Sequence, residues 1–262
     1  IGVRRDNHSI AGDYYTQRAT MAYKLESDLT LRSTLGTGIR FPSLNEYYFG
    51  ATVANSSTLK PEESISFDIG FDKNYPNRNL DFSTTFFVVE YDNYIGGWQS
   101  NTDSGNTYVQ KNTDATNKSH GVELLSNWKP SKDIIVDLGY TRTFSYDGST
   151  CSNSGDYCDN TMNVRVPSYA VTSGISKVFK NNVYGKANLK YVGERRDYGG
   201  SDNGFRQVIL DEYMVVDLSA NYNMGDYKMN FSLKNLFDED YQENLNYSTP
   251  GRNLNFRINR KF

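Results

Sequence analysis

The chain has 262 residues, 37% of them hydrophobic, and a mean hydropathy of −0.68. With 28 Lys+Arg against 31 Asp+Glu, a net charge of −3 and no basic run, nothing points to nucleic acid as a partner. No stretch approaches the roughly 18 apolar residues that a spanning helix needs, so a helical membrane anchor is excluded.

Aromatics nevertheless reach 14%, with 21 Tyr against 14 Phe, a balance that suits rings with one apolar and one wet end. Strand-period alternation predicts about twelve strands joined as consecutive hairpins. Residues 1–7 and 13–26 form the first pair, with Tyr15, Ala19, Met21, Tyr23 and Leu25 on one face. Strand 28–40 follows, then 63–74, in which Ile65, Phe67, Ile69 and Phe71 alternate with Ser66, Asp68, Gly70 and Asp72. Strands 79–97, 106–130, 133–146, 168–180, 183–198, 211–224 and 226–237 repeat the pattern. In the last stretch, Leu254, Phe256, Ile258 and Phe262 share one parity, and Asn253, Asn255, Arg257, Asn259 and Lys261 share the other. Only Arg260 breaks the apolar register. No segment has a helical period.

The links alternate in length. Short turns fall near 26–28, 75–79, 130–132, 180–182 and 224–226; long links fall near 41–62, 98–105, 147–167, 199–210 and 238–250. Outer-membrane barrels show this asymmetry, with the long loops outside the cell. The predicted fold is therefore all-β: an antiparallel up-and-down transmembrane β-barrel. The chain opens on Ile-Gly-Val-Arg-Arg-Asp with no starting Met, and reads as part of a larger protein. Cys151 and Cys158, close together in a polar segment, form either a disulfide or two free thiols; a bridge implies an oxidising compartment. No His or third Cys lies nearby, so no zinc site is expected.

Three segments narrow the reading. They are Gly36-Thr-Gly-Ile-Arg-Phe-Pro-Ser-Leu-Asn-Glu-Tyr-Tyr48 with Leu59-Lys-Pro-Glu-Glu-Ser64; Ser119-His-Gly-Val-Glu123; and Asn235-Leu-Phe-Asp-Glu-Asp-Tyr241 with Tyr247-Ser-Thr-Pro-Gly-Arg252 and the final strand. In order along the chain, they resemble the C-terminal part of the barrel of TonB-dependent outer-membrane receptors. Tyr191-Val-Gly-Glu-Arg-Arg-Asp197 looks most like the cobalamin-receptor branch. The resemblance implies a 22-stranded barrel, with the plug domain and N-terminal strands absent from this chain. It implies energised uptake of a scarce small-molecule ligand, a cobalamin or a metal chelate such as a ferric siderophore, and contact with the TonB complex through the missing N-terminal region. Outer-membrane lipid and lipopolysaccharide are the expected surroundings. Phe262 is either part of the signal read by the barrel-assembly machinery or a girdle aromatic. A passive porin-like channel or an adhesin barrel is the alternative.

Candidate site residues follow from position. Arg40, Asn45 and Glu46 stand at a loop base, where they either shape the loop or meet a plug. Glu123 has the parity opposite Val122 and Leu124 and is expected in the lumen, facing plug or network. Tyr47, Tyr48, Phe49, Trp98, Tyr198, Phe205 and Tyr247 either form a ligand surface or pack loop on loop. Arg195 and Arg196 are candidates for an anionic ligand or a lipopolysaccharide phosphate, or else solvated rim charges. No cofactor is expected; the Asp/Asn-rich loops 101–117 and 147–160 offer oxygen ligands for Ca²⁺, without the spacing of a calcium loop. The only histidines are His8 and His120; Ser119 adjoins His120, but neighbours in a strand point to opposite faces, and neither histidine has an evident orienting carboxylate, so no enzyme is expected. For the cysteine pair, alkylation without reductant is expected to add no mass to the intact chain. A gain of two alkyl groups would exclude the disulfide.

Overall fold

The computed structural model describes residues 1–48, 59–101, 107–113, 116–146, 164–179, 182–199 and 207–260. Its strands are β1 (Gly2–His8), β2 (Gly12–Glu26), β3 (Leu29–Arg40), β4 (Glu62–Tyr75), β5 (Leu80–Asp92), β6 (Ile95–Asn101), β7 (Thr107–Asn112), β8 (Asn117–Ser131), β9 (Ile134–Tyr146), β10 (Tyr169–Phe179), β11 (Val183–Val192), β12 (Arg195–Tyr198), β13 (Gln207–Leu210), β14 (Tyr213–Met224), β15 (Tyr227–Lys234) and β16 (Asn253–Arg260). A single short α-helix, α1 (Leu44–Tyr48), and one 3₁₀ turn, Pro76–Arg78, are present among the described residues. Twelve strands form one sheet in the order β1-β2-β3-β4-β5-β8-β9-β10-β11-β14-β15-β16. Each pairs antiparallel with the next, and β6–β7 and β12–β13 are separate two-stranded hairpins. Among the described residues β1 and β16 are the sheet's two edges.

The ladder register collects the apolar parity of every strand on one face. Phe71, Ile69 and Phe67 of β4 oppose Leu31, Ser33 and Leu35 of β3, and Thr84, Phe86 and Val88 of β5. At the far side Leu254, Phe256 and Ile258 oppose Leu233, Phe231 and Met229. Apart from Thr84, which is buried, this face is not closed over by the protein: Phe86 is 54% exposed, Leu254 62% and Phe256 61%. The opposite face carries Asp68, Asp72, Glu123, Asp137, Lys186, Asn188 and Asn255. The small buried apolar set comprises Tyr47, Leu59, Ile95, Val192, Leu210 and Tyr213, all at the long-link end. A sheet with no packed core on either face, and an apolar band turned outward, is stable only where that band meets hydrocarbon. No described helix is long and apolar enough to cross a membrane.

Three expected strands are broken. Segment 79–97 ends as β5 because Asn93 takes a left-handed φ of 58°, and the chain turns out of the sheet into β6. Segment 106–130 divides at the other foot of that hairpin, into β7 and β8. Segment 183–198 divides at Gly193-Glu194, and β12 pairs with β13 inside what reads as a long link. Likewise β15 stops at Lys234, where Asn235 takes φ 51°.

Gly121 of β8 shows why a glycine stands inside a strand. It opposes Phe87 of β5, and a Cβ there would lie 2.8 Å from the Phe87 ring and 2.0 Å from the Arg142 carbonyl oxygen. Arg260 opposes Tyr227 beside the Met224–Tyr227 turn, with its guanidinium 5.6 Å from the Tyr227 ring centroid. The residue that breaks the apolar parity thus sits on an interfacial tyrosine, its stem on the greasy face and its charge at the membrane boundary.

Replacing Gly121 with Ala is expected to destabilise the folded sheet by about 1–3 kcal/mol through overpacking. Gly2→Ala, where nothing lies within 4 Å, is expected to have no such effect. The midpoint of heat unfolding on semi-native electrophoresis distinguishes the two.

Candidate functional site

The long-link end carries the candidate residues, and three hydrogen-bonded hubs hold it. The first grows from the end of β3. Pro42 ends the ladder, and Ser43-Leu-Asn-Glu46 forms a reciprocal cap on α1. The Glu46 carboxylate accepts from the Ser43 N–H at 2.6 Å, and Ser43 Oγ accepts from the Glu46 N–H at 3.3 Å. The same carboxylate accepts from Arg40 at 3.0 Å, while Glu62 at the foot of β4 accepts from Arg40 Nη2 at 2.6 Å and from the Ile95 N–H at 2.9 Å. Burial pushes the Glu46 carboxyl up, but the Arg40 guanidinium and the Ser43 donors outweigh it and hold it below the ordinary range. The cap seats Tyr47, 1% exposed, against Leu59 and Ile95. His8 stacks on Phe41 at 4.6 Å, so the β1–β2 turn is tied to the same base.

The second hub is Asp197 on β12, fully buried. One carboxylate oxygen accepts from Arg165 Nε at 2.9 Å and from the Tyr198 N–H at 2.8 Å; the other accepts from the Leu245 N–H at 2.7 Å. One side chain thereby joins three links. Burial alone raises its carboxyl, and the three donors more than reverse that, holding it below the ordinary carboxylate range. Beside it Arg195, 6% exposed, donates to the Glu243 and Asp211 carbonyls at 3.2 and 3.3 Å and lies 5.1 Å from the Tyr213 ring centroid. Lys190 and the Tyr213 hydroxyl both donate to the Glu243 carboxylate, at 2.9 and 3.1 Å.

The third hub is Asn235, 4% exposed. Its amide oxygen accepts from the Glu239 N–H at 2.8 Å, and its amide nitrogen donates to the Glu239 carbonyl at 2.9 Å. Asp238 accepts from the Arg252 N–H at 2.7 Å. Asn235-Leu-Phe-Asp238 is thus the clasp that closes the 238–252 link onto β16, with Asn235 and Asp238 at positive φ.

Arg40 and Glu46 come together, as adjacent expected site residues, in an ion pair. Asn45 is exposed on α1. Glu123 lies between Thr85 and Thr141 on the polar face, exposed. Tyr48, Tyr198 and Tyr247 are open at 47%, 55% and 69%, whereas Tyr47 is packed inside the loop base. Arg195 is buried, with Nε and Nη1 bonded to carbonyls and Nη2 without a hydrogen-bond partner, and half-buried Arg196 reaches Gln207 at 3.5 Å. Phe49, Phe205, Cys151, Cys158 and Phe262 lie outside the described residues, as does the 147–160 loop offered for Ca²⁺; Trp98 is on β6 with its side chain outside them. Asp197, Glu62, Arg165 and Asn235 emerge as positioning residues. Glu46 carried a readable signal, the Ser-x-x-Glu spacing after a proline, whereas Asp197 stood in the Tyr191–Asp197 segment with no sign of its bracing role.

A greasy outer face, a polar inner face, short turns at one end and braced links at the other define an outer-membrane β-barrel. The chain belongs to the TonB dependent receptor-like, beta-barrel family, whose family model matches residues 1–236, and this places it in the Gram-negative outer membrane. It is 26% identical over 277 residues to the vitamin B12 transporter BtuB of Photobacterium profundum, covering 99% of this chain and 40% of that protein. It is 21% identical to a probable TonB-dependent siderophore receptor, PirA, of Acinetobacter baumannii, over 96% of this chain and 39% of that protein. The fold matches a mutant of the ferric enterobactin receptor PfeA of Pseudomonas aeruginosa with a TM-score of 0.75 at 16% identity, over 99% of this chain and 42% of that one. The chain therefore spans about 40% of the length of such relatives.

Asp197→Ala is expected to raise hydrogen exchange at the Tyr198 and Leu245 amides by tenfold or more, since charge-assisted bonds contribute about 1.5–3 kcal/mol each. Strand amides in mid-sheet are expected to keep their protection. Because the folded carboxyl is depressed, its contribution is complete above the ordinary value of about 3.9 and is lost only as pH falls through the folded one. Protection of these two amides, corrected for intrinsic exchange, is expected to be level from about pH 5 to 8 and to drop below about pH 4.

Proposed function

We propose that the chain forms part of a receptor that takes up a scarce ligand across the outer membrane in an energised, TonB-dependent step, with a cobalamin as the ligand. The observation that carries the ligand is similarity along nearly the whole chain to a vitamin B12 transporter. A ferric siderophore is the second reading, supported by the likeness to PirA and to the ferripyoverdine receptor of Pseudomonas aeruginosa. Family membership weighs against a passive porin or an adhesin.

In this reading the three hubs hold the links in position, and exposed Tyr48, Tyr198 and Tyr247 offer ring faces to a bulky ligand. Glu123 and its polar neighbours face a plug supplied by a part of the receptor outside this chain, which also carries the contact with the TonB complex. Further strands pair with β1 and β16, because an open edge in hydrocarbon leaves backbone groups unsatisfied. No reaction is part of this reading: His120 stacks on Phe144 at 5.4 Å, and His8 Nδ1 accepts from the Ala11 N–H at 3.1 Å.

Tryptophan-fluorescence titration of the full-length receptor tests the ligand. Cyanocobalamin is expected to quench with affinity tighter than micromolar, and Tyr247→Ala to weaken binding without changing the fold. No response to cyanocobalamin together with tight binding of a ferric siderophore would transfer the assignment to the second reading.

A further inference from the structure

On the outward face, at the height of the outer aromatic girdle, one cation has ring partners but no carboxylate among the described residues. Arg142 of β9 opposes Val122 of β8 and Tyr169 of β10, so its side chain lies on the lipid side. Its guanidinium is 4.7 Å from the Phe144 ring centroid and 5.8 Å from that of Tyr169. Phe144 stacks on His120, and Tyr169 stacks on Tyr191 with the two hydroxyls 3.2 Å apart. His120 Nδ1 is buried with no hydrogen-bond partner. The outward cations Arg5, Lys73 and Lys118 each have a carboxylate, from Asp13, Asp28 and Glu90 respectively. Lys177 and Arg260 also sit on rings, but at the short-turn end.

Arg142 stands eight residues up β9 from Ile134, the first residue after the short turn. That is about 26 Å of strand, or roughly 20 Å of height at the usual ~40° tilt, near the top of an apolar band ~25 Å tall. An unpaired guanidinium at that depth is costly unless an anion meets it. The rings take its faces and leave its N–H edge free, and that planar fork matches a phosphate.

The geometry points to Arg142 and its ring cluster as a binding site for the phosphate of an outer-leaflet glycolipid, the lipid A of lipopolysaccharide. The Tyr169–Tyr191 hydroxyl pair and His120 flank the phosphate, and the acyl chains lie down the apolar face below. Buried Arg195, a lipopolysaccharide candidate from sequence, is already occupied by carbonyl groups. This inference rests on the outer-membrane placement and is independent of which ligand is transported.

Native mass spectrometry of the detergent-solubilised full-length receptor tests it, with diphosphoryl lipid A, dephosphorylated lipid A and inorganic phosphate as probes. Wild type is expected to retain diphosphoryl lipid A and to bind the dephosphorylated form far less. Arg142→Gln is expected to lose about tenfold or more in affinity, and Lys177→Gln, at the opposite interface, to lose none. Unchanged binding in Arg142→Gln, equal loss in both variants, or displacement by millimolar inorganic phosphate would overturn the site. Should Arg142→Gln not assemble, Arg142→Lys decides: it keeps the charge and loses the fork, a several-fold loss is expected, and wild-type affinity would overturn the site.

Discussion

A backbone inside a bilayer must satisfy its own hydrogen bonds, and everything else in this structure depends on how the ladder does so. Hydrocarbon offers no donors or acceptors, so each strand is paired along its length with the next, from β1 to β16. Pairing at a period of two then divides the side chains. One parity meets lipid, which explains why Phe86, Leu254 and Phe256 are open and yet not a liability. The other parity meets a polar lumen, and the mixture accounts for a membrane protein with a mean hydropathy of −0.68.

Where the ladder leaves the bilayer that constraint lapses, and charged and amide side chains take over the work of holding the chain. Arg40 between Glu46 and Glu62, Asp197 among three donors, and Asn235 across the neck of its link act alike. Each joins segments distant in sequence through bonds to backbone or charge. The segments that carry the family resemblance are largely these hubs: the first contains Arg40, Glu46 and Glu62, and the last contains Asn235 and Asp238. Their chemistry is architectural, and the residues they support include the more open Tyr48, Tyr198 and Tyr247. Among the described residues at the long-link end, lipid-facing Arg142 combines a charge with two rings and no carboxylate, which points to a partner outside the protein.

The all-β class, the strand parities, the place of Glu123 on the polar face and the alternation of short turns with long links were all legible from residue order alone. They depend on period-two alternation and on local turn chemistry, which neighbours in sequence carry. Strand ends were less legible: 79–97 and 183–198 read as continuous because their hydrophobic pattern runs on, while a left-handed Asn93 and the pairing of β12 with β13 stop the ladder. The candidate site was legible mainly as a place. Arg195 has the composition of a rim charge and becomes a buried brace, and Tyr47 has that of an apex aromatic and becomes the loop's small core. Asp197 was legible only as the last residue of the Tyr191–Asp197 segment, and its bracing role was not, because its partners Arg165 and Leu245 lie 32 and 48 residues away and reach it only through the folded links. Alternation is a property of one strand and can be read from it; burial and partnership at the loop bases depend on which links meet, and that is settled only when the sheet brings their feet together.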